Sequence, residues 1–245
     1  VAAAATAAAA VVPGLPVTGP GPGMPALAGW ARTELDPAWT VRADALDRAE
    51  LVAAGFPADR LSDAADPMES PDGEVRVISD RPATGTMRMS SCPGGVLAEV
   101  ERGSGGVPTM ICHTGAAPDE QAARLRIGAE LAANPTLTLS GGAEQALRAG
   151  DVDPRVLLAL TALSATHRLH VVAFPVVELD AGNTPLRRVL LSTVDGEAAS
   201  GAALSVVRGL LSGQSPPLVP TLLRPVGDAL LIGYPAPAPT GLLPP

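Results

Sequence analysis

The middle of this 245-residue chain contains a helix whose two ends are marked by the residues that start and stop helices. Pro118 begins it, and the acidic side chains of Asp119 and Glu120 suit the positive end of the helix dipole. Asn134-Pro135 ends it, because proline cannot continue a helix. These boundary residues predict a helix between them.

Two more helices with marked ends follow directly. Ser140 can cap the second helix, and Gly150 lies just past its end, where a left-handed residue is favoured. Asp153 caps the third helix, with Pro154 at its first position and leucines on one face. These boundaries are the best local predictions that the chain offers.

The remaining segments predict strands and two further helices without a regular strand–helix alternation. Strands are predicted at residues 39–46, 74–79, 96–101, 107–112, 169–179, 188–194, 218–223 and 229–234, and helices at 47–54 and 202–211. A turn is predicted at 225–228. This order favours an α+β or mixed α/β fold, with helices packed on one mixed sheet.

The ends of the chain differ in composition from its body. Residues 1–25 combine an Ala-rich apolar segment with a Pro/Gly connector, and residues 235–245 form a Pro-rich tail. We therefore predict a single main domain over residues 26–234. Chain ends are usually disordered unless they dock, so we expect neighbouring subunits to hold both ends.

The apolar run at residues 1–12 bears on location. Twelve helical residues rise about 18 Å, which is too short for the roughly 30 Å hydrocarbon layer. The run can be the end of a longer membrane helix, the mature start after signal cleavage, or a helix lying in a partner's groove. The first two interpretations predict an extracytoplasmic protein.

Composition excludes two classes of ligand. The chain has five aromatic residues, too few for the stacking surfaces that bind sugars or single-stranded nucleic acid, which contribute about 1–3 kcal/mol per stacked base. The formal net charge of −8 would repel a phosphate backbone. We therefore expect no nucleic-acid partner.

Two cysteines, Cys92 and Cys112, are compatible with an oxidising compartment. If the glycine loop at 103–106 centres a hairpin, Cys112 faces Leu97, and Cys92 lies five residues away. A disulfide then requires residues 91–95 to fold back, and buried free thiols are the alternative. We predict the disulfide.

No group of residues predicts a catalytic, cofactor or metal site. Cys112 and His113 are adjacent in a strand and point to opposite faces, which does not suit a nucleophile and its base. His167 and His170 lie where a helix gives way to a strand, so the spacing of a helical metal pair is lost. We interpret both as polar residues at a helix end.

Two further patterns have ordinary explanations. Gly103-Ser104-Gly105-Gly106 joins two strands and leads to no helix N-terminus that would receive a phosphate. A group of acidic residues lacks the spacing of a calcium loop and is predicted to be a solvated loop. Its members are Asp59, Asp63, Asp66, Glu69, Asp72 and Glu74.

Two segments resemble known families. The runs LAANP (131–135), GDVDPR (150–155) and LSATH (163–167) make residues 131–174 resemble a module of actinobacterial extracytoplasmic proteins, in some of which it precedes a carboxypeptidase-like zinc domain acting on cell-wall peptides. The zinc motif is absent here, because PVVE follows residue 174 and no histidine comes later. Residues 30–61 weakly resemble the soluble segment of polytopic glycosyltransferases, which implies a domain near a membrane exit.

These observations lead to one main functional hypothesis and two rivals. The main one is a non-enzymatic structural or interaction protein of the cell surface, a subunit of an extracellular assembly or filament that associates with itself or with a surface protein. The alternative is a degenerate or accessory domain of a cell-wall or membrane enzyme that binds peptidoglycan or a membrane partner. An enzyme is the third, and it would need a pocket gathering Asp44, Asp80, Arg81 or His113.

Overall fold

The computed structural model describes residues 23–63, 74–79, 96–101, 108–113, 120–182, 184–239 and 241–244. In these residues helices and mixed parallel and antiparallel sheets occur together, so the predicted α+β class is confirmed. The helices are α1 Met24–Glu34, α2 Ala45–Ala53, α3 Gln121–Ala132, α4 Gly141–Ala149, α5 Pro154–Ser164 and α6 Ala203–Ser212. Of these described helices, none has both the length and the apolar character that crossing a bilayer requires.

The strands divide between two sheets, where the sequence predicted one. They are β1 Thr40–Ala43, β2 Leu61–Asp63, β3 Glu74–Ser79, β4 Val96–Glu101, β5 Pro108–His113, β6 Leu137–Leu139, β7 Leu169–Ala173, β8 Arg188–Val194, β9 Glu197–Ala198, β10 Leu222–Val226 and β11 Ala229–Gly233. The first sheet has the order β2-β1-β3-β5-β4, and the second has the order β10-β11-β8-β7-β6 with β9 beside β8. Local sequence could not show this division, because sheet membership depends on pairing between distant segments.

Each sheet has its own hydrophobic core. The first core surrounds α1 and the five-stranded sheet, and the second lies between the six-stranded sheet and α3 to α6. Val177 and Ala236 come from the C-terminal half of the chain but are buried in the first core. The segments that contain Val177 and Ala236 therefore reach from the second core into the first. The bounds of the predicted single domain, 26 and 234, stay a prediction.

The predicted ends of α4 and the predicted start of α5 are confirmed, whereas α3 begins at Gln121 and not at Pro118 as predicted. The Asp153 carboxylate accepts a hydrogen bond from the Arg155 amide at 2.8 Å, with Pro154 at the first helical position. Gly150 ends α4 with φ of +70°, a conformation that glycine adopts without strain. Ser140 is the N-cap residue of α4, although its hydroxyl makes no capping hydrogen bond within the described part of the chain.

Several predicted boundaries are wrong for identifiable reasons. The strand predicted at 169–179 ends at Ala173, before Pro175, and the strand predicted at 39–46 stops where Asp44 caps the next helix through the Asp47 amide at 2.8 Å. Pro225 lies inside β10, outside the turn that was predicted to contain it. An edge strand accepts proline because a nitrogen that faces away from its neighbour needs no partner.

The C-terminal tail packs on its own chain, and the expectation that neighbouring subunits hold it stays a prediction. The Ala236 amide donates to the Glu34 carbonyl at 2.6 Å, and the Asp36 amide donates to the Ala236 carbonyl at 3.0 Å. Leu243 is buried in the second core. The tail therefore contributes apolar side chains to both cores. The apolar head lies outside the described residues.

Candidate functional site

Cys112 occupies a different position in its hairpin from the one predicted. It is buried on β5 and pairs with Val96, whereas Leu97 was predicted. The register shifts between Val96 and Ala98, so Leu97 is the extra residue of a β-bulge, which a symmetric hairpin cannot anticipate. Cys92 lies outside the described residues, and the disulfide stays a prediction.

The other sequence candidates are not brought together in the described residues. Asp44 caps α2, while Asp80, Arg81 and the side chain of His113 lie outside the described part. Asp63 lies 3.6 Å from Arg48. Two other groups from the sequence analysis also lie outside the described residues. They are the glycine loop Gly103-Ser104-Gly105-Gly106 and the acidic residues Asp66, Glu69 and Asp72.

His167 and His170 contact different partners. The His167 Nδ1 lies 2.6 Å from the Asp195 carboxylate, in the segment that follows α5. The His170 Nδ1 lies 2.8 Å from the Ser192 hydroxyl, between two strands of the second sheet. Across the residues that the structure describes, no group of three or more metal-binding side chains occurs.

A row of polar side chains crosses the second sheet at His170. In the strand register, Thr138 of β6 pairs with His170 of β7, which pairs with Thr193 of β8. Directly paired residues project to the same face of a sheet. Thr138 is exposed and the other two are half-buried, so this row, which we call the polar row, faces solvent.

A β-bulge adds Ser192 to the polar row. The register changes from His170–Thr193 to Val171–Leu191, which leaves Ser192 without a direct partner in β7. Bulges redirect side chains, and here the Ser192 hydroxyl reaches the His170 ring. The row thus presents three hydroxyls and an imidazole, a set of donors and acceptors suited to hydrogen-bonding a polar ligand.

A buried group of ionised side chains lies between the two cores, and sequence reasoning missed it. Arg187 Nη2 and Nε contact the two carboxylate oxygens of Asp180 at 2.8 and 3.1 Å, and Arg187 Nη1 contacts Glu34 at 2.7 Å. Arg188 contacts the other Glu34 oxygen at 2.6 Å, and Trp30 Nε1 donates to Asp180 at 2.7 Å. We call these five residues the bridging cluster. It joins α1 of the first core to β8 of the second.

The charges of the bridging cluster support one another electrostatically. Burial raises the pKa of Glu34, but Arg187 and Arg188 outweigh it, so that pKa is lowered. Burial lowers the pKa of Arg187, but Asp180 and Glu34 outweigh it and raise that pKa. Burial raises the pKa of Asp180 further than Arg187 and Trp30 lower it. The Arg187 Nη2 atom lies 2.8 Å from the Asp180 carboxylate, a charge-assisted contact.

A second buried ion pair supports the start of α5. Arg155 contacts the Asp153 carboxylate at 3.0 and 2.8 Å and the Pro235 carbonyl at 2.6 Å, and its guanidinium lies over the ring of Tyr234. The Tyr234 hydroxyl is buried and has no hydrogen-bond partner within the described part of the chain. Burial, followed by the charge of Asp153, raises the pKa of this hydroxyl.

Removing the Tyr234 hydroxyl is expected to have little effect on the free energy of unfolding. We expect Tyr234→Phe to leave the free energy of unfolding unchanged or to raise it by about 1 kcal/mol, because a buried hydroxyl without a partner loses its water on folding and gains nothing. Tyr234→Leu removes the ring as well, and urea unfolding should show a loss of about 1 kcal/mol or more relative to Tyr234→Phe. A loss above 1 kcal/mol for Tyr234→Phe would contradict the assignment.

The missed residues carry weak sequence signals. Arg187-Arg188 at the start of a strand was the one local signal for the bridging cluster, and its acidic partners lie 7 and 153 residues from Arg187. The polar row depends on the pairing of β7 with β8 on one side and with β6, a strand that sequence reasoning also missed, on the other. Comparison of the chain with protein-family models, curated proteins and solved structures gave no match.

Proposed function

We propose that this chain is a non-enzymatic, extracytoplasmic interaction protein that contacts its ligand through the polar row. The observation that carries the proposal is the in-register array of Thr138, His170 and Thr193 on the solvent-facing side of a sheet whose other side is core. Polar residues on the exposed face of a strand need not line up with those of its neighbours. A surface that binds a ligand by hydrogen bonds needs polar side chains of neighbouring strands to lie side by side. The buried charges are used in ion pairs and support the fold.

The ligand we propose is the peptide part of the cell wall, as expected for an accessory domain of a cell-envelope enzyme. Sugar rings are usually bound by stacking on exposed aromatic faces. Trp30, Phe56, Phe174 and Tyr234 are buried in the cores, and Trp39 is the one aromatic residue that is half-exposed. Hydroxyl and imidazole groups instead suit the amides and carboxylates of a peptide.

The main hypothesis from the sequence, a subunit of a surface assembly, stays a prediction. It rested on both ends docking on neighbours, and Ala236 and Pro244 of the C-terminal tail make hydrogen bonds within their own chain. The assembly hypothesis now depends on the apolar head and on other surfaces. Light scattering on the full chain would detect it as a mass above that of one chain.

Binding to purified cell wall tests the proposal. We expect the full chain to be retained by sedimented peptidoglycan, and His170→Ala to weaken retention about tenfold, the effect of losing one to two hydrogen bonds. Thr138→Val removes an exposed hydroxyl and keeps a β-branched side chain, so it should weaken retention several-fold, about 3 to 5 times.

Controls separate binding from folding. Ser205→Ala removes an exposed hydroxyl on α6, away from the second sheet's polar row, and should bind as the unmodified chain does. The thermal unfolding midpoint of each variant should equal that of the unmodified chain. Equal retention of His170→Ala and the unmodified chain would show that the polar row is not the binding surface. Absence of retention of the unmodified chain would remove the cell-wall ligand altogether.

A further inference from the structure

The outer edge of the first sheet is covered by a segment from the other half of the chain. Strand β4 is at the end of the strand order, and residues 177–182, which we call the edge cover, lie along it. The Glu99 amide donates to the Leu179 carbonyl and the Ala181 amide donates to the Leu97 carbonyl, each at 3.0 Å. The pairing is a single antiparallel bridge, Ala98 with Asp180. Covering an edge in this way prevents it from pairing with other chains.

The backbone of the edge cover is strained. Leu179 has φ of +73°, in the left-handed region that a bulky side chain avoids. Such strain persists where surrounding contacts hold the residue in place. Two backbone hydrogen bonds and the apolar contacts of Val177 and Leu179 oppose it. These contacts therefore hold the edge cover in a backbone conformation that Leu179 disfavours.

Asp180 is the residue that fastens the cover. It lies in the middle of the segment, opposite Ala98, and its side chain enters the bridging cluster. Both of its carboxylate oxygens contact Arg187, and Oδ1 also accepts from Trp30. Arg187 immediately precedes β8, which begins at Arg188, so the cover is tied to the start of that strand of the second sheet while its backbone pairs with the first sheet. Thr184 adds hydroxyl hydrogen bonds to the Val96 and Leu97 carbonyls, both at 3.2 Å.

We propose that the edge cover is releasable, that Asp180 locks it, and that the edge of β4, once uncovered, pairs with the same edge of a second copy of this chain. This interaction is independent of the proposed wall binding, which uses the other sheet. It supplies a route to self-association that needs neither terminus.

The uncovered edge is complementary to itself. In the covered state the Glu99 amide donates a hydrogen bond to the edge cover and the Leu97 carbonyl accepts one from it, on the two sides of Ala98. A two-fold axis at Ala98 places the Glu99 amide of each copy opposite the Leu97 carbonyl of the other, which repeats the present pairing with a second copy as the partner. Ala98 at the centre is small, and Glu99 would lie opposite Leu97 of the other copy, so no like charges face each other directly.

Amide hydrogen exchange and sedimentation test the proposal on the full chain. Asp180→Asn keeps the size of the side chain and removes its charge, while Arg187 keeps its contact with Glu34, so the fold should survive. We expect exchange of the Glu99 amide to accelerate about tenfold or more, as for loss of hydrogen bonds to a charged group, and the protein to dimerise with rising concentration. Amides of β11 should be unaffected.

Further variants separate release from pairing. Adding Glu99→Pro to Asp180→Asn removes the donor that dimerisation needs, so the double variant should remain monomeric. Asp195→Asn changes the same charge in an exposed turn and should alter neither measurement. Thr184→Val, which keeps the charge cluster intact, should accelerate Glu99 exchange by a smaller factor, about threefold.

Three outcomes would overturn the proposal. Unchanged Glu99 exchange in both Asp180→Asn and Thr184→Val would show that the cover is not locked by these contacts. Faster exchange with a monomer at all concentrations, or a dimer that survives Glu99→Pro, would show that the uncovered edge does not pair with a second copy. None of the three depends on whether the chain binds cell wall.

Discussion

Replacing Gly128 with alanine is expected to lower the free energy of unfolding by about 3 kcal/mol or more, because the added methyl group would overlap the backbone of α4. A Cβ at this position would lie 2.0 Å from the Leu147 carbonyl oxygen and 2.9 Å from its carbonyl carbon. The obstacle is backbone, and it cannot rotate away as a side chain does. Helices α3 and α4 would have to separate, which would open the packing around the buried Leu131 and Leu147.

A matched glycine shows what the same substitution does without the obstacle. Gly209 lies inside α6, is exposed, and has no atom within 4 Å of a built Cβ. Gly209→Ala should raise stability by about 0.5–1 kcal/mol, because alanine is the better helix former. Urea unfolding of both variants gives the comparison. A Gly128→Ala variant as stable as the unmodified chain would mean that α3 and α4 do not approach as closely as described.

Gly128 also shows where sequence reasoning fails on this chain. Glycine inside a helix is unfavourable by local propensity, and the sequence gives no sign of the helix that passes over it. The helix ends were predictable because their causes are local: Asp153 and Pro154 act on the next turn, and Gly150 acts on its own backbone. The close approach to Leu147 joins residues 19 positions apart through the packing of two helices.

The candidate sites were less predictable than the elements that carry them. β8 was predicted over its observed residues, yet its bulge at Ser192 was not, since a bulge depends on the partner strand. The division of strands between two sheets was also missed, and with it the interface where the bridging cluster lies. Only once Glu34 of α1 is brought to β8 can its pairing with Arg187 and Arg188 be seen.

Replacing Arg187 with methionine is expected to lower the free energy of unfolding by about 3–5 kcal/mol at pH 7, because it leaves buried carboxylates without their main partner. Asp180 would lose both of its arginine contacts, and Glu34 would keep Arg188 alone. Methionine fills a similar volume, so the loss measures charge more than packing. By thermal unfolding, 3 kcal/mol corresponds to a decrease in Tm of about 6–12 °C for a chain of this length.

An exposed ion pair provides the control. Arg148 contacts Glu144 at 2.9 Å one helical turn away, with about half of each side chain exposed. Arg148→Met should change stability by less than about 0.5 kcal/mol. A second control adds Asp180→Asn to Arg187→Met, which removes the most buried uncompensated charge and should recover part of the loss. Equal losses for Arg187→Met and Arg148→Met would contradict a stabilising role for the bridging cluster.

The pH dependence of stability distinguishes lost charge pairing from lost packing. In the unmodified chain the lowered pKa of Glu34 contributes stability above the pKa of an unfolded glutamate, about 4.3, and this contribution is lost as the pH falls through the lower folded value. Without Arg187, the folded pKa of Asp180, which burial already raises, rises further, and the folded pKa of Glu34 also rises because Arg188 alone remains to oppose burial. The variant should therefore gain stability relative to the unmodified chain between pH 7 and 5, as these carboxylates bind protons. A stability difference between the variant and the unmodified chain that stays constant over this range would show that the loss comes from packing and not from charge pairing in the bridging cluster.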